Sequence, residues 1–213
     1  MDLIQTEIQQ YAEKHTTDES VLLKKINRET QAQVLMPRML SGHLQGRMLS
    51  MISCMIRPKV ILEIGTYTGY SALCLAEGLS ENGKLITIDI NEELQDRVSG
   101  YLQEADMHHR IDYRIGDASA IIPEIKDKFD LVFIDADKEN YARYFDLVID
   151  RVNLNGFILA DNVLWSGKVL QAKPDKDTQA IVDFNEKVHR DSRVENVLLP
   201  IRDGIMVMRK IRD

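Results

Sequence analysis

Two short stretches carry the residue types best suited to chemistry. In FIDADKENY, Phe133–Tyr141, the apolar run 131–134 gives way to Asp135, Asp137 and Lys138. In GFILADNVLW, Gly156–Trp165, apolar Phe157–Ala160 is followed at once by Asp161 and Asn162. Acids at the mouths of two neighbouring buried strands converge oxygen atoms on one spot. With no His or Cys cluster beside them, Asp135, Asp161 and Asn162 form a hard ligand set suited to Mg²⁺, Mn²⁺ or Ca²⁺ rather than Zn²⁺. Three protein oxygens leave about three positions of an octahedron for water or substrate, as metal-assisted catalysis requires. Lys138 falls in the first turn of the next helix, where a cation is unfavourable. That placement suits a general base beside a bound cation, which disfavours the charged amine. Each residue also has a plainer reading: Asp135 as a helix cap, Asp161-Asn162 as a turn pair, Lys138 as a surface lysine, and Asp137 as rim charge.

A second constellation lies upstream in LEIGTYTGYSA, Leu62–Ala72. Gly65 and Gly69 resemble a nucleotide loop, but Tyr67 stands where a dinucleotide loop needs its middle glycine for close approach to a pyrophosphate. Glu63 would repel a phosphate and suits a cation such as an amino group or a sulfonium. Asp89, closing the next strand, is placed to accept hydrogen bonds from ribose hydroxyls. A ribose and a positive charge without a phosphate describe S-adenosylmethionine. Asp117, after the third strand, either reaches the adenine or caps a helix. A nicotinamide-dependent dehydrogenase shares the fold class but needs the phosphate loop that is absent here. A tight turn with an acidic rim is the structural alternative.

The elements that must position these groups follow from apolar periodicity. Before residue 58 the pattern is helical. A polar helix spans Asp2–Lys14, and a second opens at Asp18 with Val21, Leu22 and Ile26 on one face. A third, capped by Ser41, runs through Leu44, Met48, Leu49, Ile52 and Met55 until Arg57-Pro58 stops it. Strands are expected at Val60–Ile64, Lys84–Ile88, Ile111–Ile115, Asp130–Ile134 and Phe157–Ala160. Between them come helices Ser71–Leu79, Asn91–Asp106 and Glu139–Val152. This alternation predicts a parallel, doubly wound α/β sheet. After a helix over Thr178–Arg190, strands Val194–Leu199 and Ile205–Arg209 are separated only by PIRDG, too short for a crossover, so they pair antiparallel. The expectation is a Rossmann-like sheet of seven strands, mostly parallel, with a C-terminal antiparallel hairpin and N-terminal helices. Residues 1–213 read as one domain, with a helical segment 1–57 packing on the α/β core 58–213.

Composition narrows the classes. A net charge of −7 argues against nonspecific nucleic-acid binding. No apolar run approaches the ~18 residues of a membrane span. The polar, acidic stretch Met1–Gln10 is neither signal nor transit peptide. Cys54 and Cys74 lie in apolar helical patterns and read as buried free thiols, which implies a reduced, cytoplasmic protein.

Taken together, these motifs resemble the metal-dependent class I O-methyltransferases, the family of catechol and caffeoyl-CoA O-methyltransferases. The matching runs are LEIGTYTGYSA, TIDINEE, GDAS, FIDADKENY and LADNVLWSG, in the family's order over residues 60–167. LPIRDGI matches the last hairpin, and MLSGHLQGR, Met39–Arg47, resembles the segment that closes over the cofactor. The resemblance implies Asp135, Asp161 and Asn162 as metal ligands and Lys138 as catalytic base. It implies cofactor contacts from Met39, Ser41, Glu63, Gly65, Ser71, Asp89, Asp117, Ala118 and Asp135, and a substrate wall at Trp165, which otherwise reads as a core tryptophan. The implied activity is S-adenosylmethionine- and divalent-metal-dependent O-methylation of a small phenolic with vicinal hydroxyls, by a homodimer that binds no nucleic acid or membrane. A noncatalytic nucleoside-binding module and an enzyme for CoA-ester phenolics are the alternatives. Two departures bear on substrate. Arg47 replaces the family's usual glutamine, which would change that end of the pocket. The loop Lys168–Thr178 is short and lacks a tyrosine and arginine cluster for CoA, with Lys168, Lys173 and Lys176 its only cations, so a free phenolic is favoured. No residue clearly matches the carboxylate that orients catechol; Glu195 and Asp203 lie nearby.

Overall fold

In the computed structural model, which describes residues 5–213, all seven apolar runs pair into one sheet. The strands are β1 (Val60–Ile64), β2 (Lys84–Asp89), β3 (Ile111–Ile115), β4 (Phe129–Ile134), β5 (Val152–Asp161), β6 (Val194–Leu199) and β7 (Ile205–Lys210). Their order is β3-β2-β1-β4-β5-β7-β6. The first five are parallel, and β7 runs antiparallel between β5 and β6. Winding reverses between β1 and β4, so their carboxyl ends open the crevice where such sheets bind ligands.

The helices are α1 (Thr6–Lys14), α2 (Val21–Gln33), α3 (Gly42–Ile56), α4 (Tyr70–Ala76), α5 (Gln95–Glu104), α6 (Ala118–Ile121), α7 (Tyr141–Ile149) and α8 (Lys176–Arg190). On one face of the sheet, Leu62, Ile64, Val132, Ile134 and Ile158 pack against α7 and α8. On the other, Ile61, Leu131, Phe133 and Leu159 pack against α2 to α5. Central strands are therefore apolar on both faces, and burying each large side chain contributes about 1.5–3 kcal/mol.

Several local expectations shift. The first residues of the expected opening helix, Asp2–Ile4, lie outside the described residues. Ser20, not Asp18, caps α2: its Oγ accepts from Leu23 N at 3.2 Å, while Asp18 pairs with Lys24. Val21 consequently faces solvent, and the buried stripe is Leu23, Ile26 and Thr30. Ser41 makes no side-chain cap to α3. That helix buries Gln45, Gly46, Leu49, Ser50 and Ser53, leaving Met51 and Met55 exposed. The stripe is rotated because the polar side chains find partners: Ser50 Oγ donates to Glu77 and Ser53 Oγ to the Leu75 carbonyl. Cys54 is exposed rather than buried; Cys74 is buried, and both are free thiols. Helix α7 stops at Ile149, and β5 begins at Val152, earlier than expected. Val152 pairs with Phe129 before an irregular step to the Leu131–Phe157 pair, and polar Asn153 and Asn155 hide this extension from any periodicity.

Candidate active site

The site is assembled by the strand ends. Asp135 N donates to the Ile64 carbonyl and Gly65 N to the Ile88 carbonyl, both at 2.8 Å, which locks the ends of β4, β1 and β2 together. Gly65 has φ +101°, and a Cβ there would stand 1.9 Å from the Asp135 carbonyl oxygen, so only glycine permits this approach. The turn that follows orients Asp89: Tyr67 N donates to Oδ2 at 2.6 Å and Asn91 N to Oδ1 at 2.8 Å.

A cleft of about 1240 Å³ runs along these ends. It exceeds the ~300–1,000 Å³ of a single small-molecule pocket, which leaves space for two ligands. Gly65, Ser71, Asp89, Asp117 and Ala118 border one part. Asp135, Lys138, Asp161, Asn162 and Trp165 border another, with Met39 and Ser41 also lining it. Asp117 caps α6 through Oδ1, which accepts from Ser119 N at 2.7 Å, and it also borders the cleft.

Glu63 differs from the expectation of direct ligand contact. Its side chain is fully buried behind the cleft wall, where Thr87 Oγ1 donates to Oε2 at 2.5 Å. Strand alternation turns it towards α4 rather than the cleft. Burial pushes its pKa up to about 8, against hydrogen bonds from Thr87 and Ser71 that lower it.

At the acidic end, three oxygens surround one positive charge. Lys138 Nζ donates to Tyr141 OH at 2.6 Å, Asn162 Oδ1 at 2.7 Å and Asp135 Oδ1 at 3.2 Å. Its side chain is 10% exposed. Tyr141, fully buried, donates onward to the Asp161 carbonyl at 3.0 Å; burial holds its hydroxyl well above the usual phenol range. Asn162 sits at φ +59°, a left-handed position that asparagine tolerates better than most residues. Asp161 is 3% exposed. Its Oδ2 accepts from Gln45 Nε2 at 2.6 Å and its Oδ1 from Asn162 N at 2.7 Å. Burial first, and then the charge of Asp135, push its pKa up to about 7. Two carboxylates and an amide oxygen, one carboxylate buried and short of positive charge, fit a hard divalent cation.

Trp165 lines the cleft with Lys138 Nζ 5.7 Å and Lys168 Nζ 5.8 Å from its ring centroid, within cation–π range. Asp137 is more than rim charge: Tyr144 OH donates to it at 2.6 Å. Of the two nearby carboxylates, Asp203 lines the cleft and accepts from Ser166 N, whereas Glu195 pairs with Arg209 on the hairpin. Arg47 does not alter the cleft as expected; it grips Glu77 with both Nη atoms between α3 and α4. Three residues of the site escape sequence reasoning. Tyr141 had a signal, closing the FIDADKENY run three residues after Lys138. Gln45 and Arg202 lie within the matching runs MLSGHLQGR and LPIRDGI, but by residue type each looks like a solvated polar side chain.

A doubly wound sheet finished by an antiparallel hairpin, with a cleft across its strand ends, is the architecture of Rossmann-like methyltransferases. The sequence matches the O-methyltransferase family over residues 13–211. A caffeoyl-CoA O-methyltransferase of Medicago sativa is 37% identical over 182 residues, covering 79% of this chain and 73% of that protein. An O-methyltransferase from Bacillus cereus, solved with SAH, matches with a TM-score of 0.89 at 28% identity, covering 96% of this chain and 97% of that one. TomG from Streptomyces achromogenes, an O-methyltransferase involved in tomaymycin synthesis and solved with SAM, matches with a TM-score of 0.87 at 26% identity, covering 96% of each chain. The chain belongs to the O-methyltransferase family and is an O-methyltransferase.

Proposed function

We propose that this O-methyltransferase takes its methyl group from S-adenosylmethionine and, with a divalent cation, delivers it to one hydroxyl of a small vicinal diphenol. The observation that supports the reading most is the convergence of Asp135 Oδ1 and Asn162 Oδ1 on a single positive charge beside buried Asp161. Those three residues would hold the cation, Mg²⁺ or Mn²⁺ by their oxygen chemistry. When bound, such an ion lowers the pKa of a ligated hydroxyl and fixes two adjacent acceptor oxygens. Asp89 accepts from the ribose hydroxyls, with Asp117 and Ala118 towards the adenine. Gly65, Ser71, Met39 and Ser41 enclose the remainder of the cofactor, and Glu63 supports Ser71 from behind. Lys138 takes the proton of the acceptor hydroxyl, which in a free phenol titrates near ~10. Tyr141 holds that amine in place, and Trp165 walls the acceptor ring.

A free phenolic is favoured over a CoA ester. In the loop beside the cleft, Lys168 pairs with Asp175 and Lys176 with Glu139, so two of its three lysines are engaged. The reading includes a homodimer, on the ground that the touching helices α1 and α3 leave Ile8, Tyr11, Met51 and Met55 exposed.

The test is turnover of catechol with labelled S-adenosylmethionine. Chelation with EDTA should abolish it and Mg²⁺ or Mn²⁺ restore it. Full activity in chelator refutes the cation, and equal rates on a monohydroxy phenol refute bidentate binding of the acceptor.

A further inference from the structure

The inner face of α3 carries an uncharged amide into the core. Gln45 is 1% exposed, yet both polar atoms of its side chain are used. Nε2 donates to Asp161 Oδ2 at 2.6 Å, and Oε1 accepts from Arg202 Nη1 at 2.9 Å. These partners dictate which way the amide faces. A guanidinium only donates, so a flipped amide would set N–H against N–H at Arg202. Arg202, half-buried in the turn between β6 and β7, is held in its turn. Both Nη atoms donate to the Leu40 carbonyl at 3.2 Å, just before α3. Asp161 Oδ1 already takes the Asn162 N–H. Each carboxylate oxygen thus has one fixed donor, and the plane of the carboxylate cannot swing.

We propose that Gln45 is the positioning residue for Asp161, and that Arg202 fixes the face of the amide that Gln45 presents. The start of α3 and the β6–β7 turn then act together on the cation site. This inference rests on the cation reading given above. Partners that orient a metal ligand from behind typically govern 10- to 100-fold of metal affinity.

The test is the Mn²⁺ dissociation constant, read from the free-ion signal in electron paramagnetic resonance, for the unaltered protein, Gln45→Leu and Arg202→Met. Thermal melting and SAH binding report on folding. Gln45→Leu keeps the bulk but leaves Asp161 Oδ2 without its donor, and should weaken Mn²⁺ by about 10- to 100-fold with SAH affinity retained. Arg202→Met frees the amide to rotate and should weaken Mn²⁺ by a smaller factor. Unchanged Mn²⁺ affinity in a folded Gln45→Leu protein overturns the relay and leaves the cation site standing. Should that variant not fold, unchanged affinity in Arg202→Met overturns it instead. No Mn²⁺ binding by the unaltered protein overturns both.

Discussion

Lys138→Met separates the ion pair that the amine makes with Asp135 from the proposed task of general base. The methionine keeps the stem packed beside Trp165 and Tyr141 but removes the charge. At 3.2 Å from Asp135 Oδ1, the ammonium attracts that carboxylate by about 5 kcal/mol at an effective dielectric of ~20, and by about 1 kcal/mol in bulk water. Side-chain exposures of 10% and 20% put the pair between these limits, and desolvation offsets part of the attraction. A net loss of about 2 kcal/mol in metal-free protein is expected, or a melting temperature lower by roughly 4–8 °C for a chain of this size. Ammonium and divalent cation compete for the same oxygens, so the variant should bind Mn²⁺ more tightly and its melting point should rise more on adding the ion. Turnover should nonetheless fall about 10²- to 10⁴-fold with the base gone, and partly return at higher pH where the acceptor hydroxyl ionises unaided. Lys138→Arg should not rescue, because a guanidinium stays protonated. Thermal melts with and without Mn²⁺, alongside steady-state kinetics from pH 7 to 10, measure all of this. Near-normal turnover at neutral pH with unchanged Mn²⁺ affinity would refute the reasoning and leave Lys138 an ordinary first-turn lysine.

Three further outcomes follow from the geometry. Gly65→Ala forces a Cβ to within 1.9 Å of the Asp135 carbonyl at a φ of +101°, and urea unfolding should show a loss of about 3–5 kcal/mol, in the upper range for single substitutions. Glu63 is held up to about 8 from its ordinary 4.5 by burial. The folded chain therefore binds more protons there, the stabilisation is complete below about 4.5, and it is lost as pH rises through about 8. Urea titrations should show Glu63→Gln gaining stability relative to the unaltered protein at pH 8.5 but not at pH 4.5, the residual slope coming from Asp161, which shifts in the same direction. Light scattering at micromolar concentration should return about twice the 24.4 kDa chain mass; a monomeric mass contradicts the homodimer.

Much of this molecule is legible in one dimension. Buried parallel strands must be apolar on both faces, so runs such as 60–64 and 131–134 announce themselves, and the short PIRDG link dictates the antiparallel hairpin. Polar residues placed directly after apolar runs mark Asp135, Asp161 and Asn162 as cleft-lining, since the strand ends of a doubly wound sheet border its crevice. Other features needed the third dimension. Glu63 sits in the same motif as Gly65, yet strand alternation sends it behind the cleft. Arg47 points at Glu77 and not at the pocket, because α3 lies a step further round than its apolar residues suggest. Gln45 and Arg202 belong to distant segments, and although both fall in runs that resemble the family, their residue types do not set them apart from solvated side chains. Their contacts arise only when folding buries Gln45 against Asp161 and brings half-buried Arg202 onto the Gln45 amide, where each donor and acceptor finds its match within the protein.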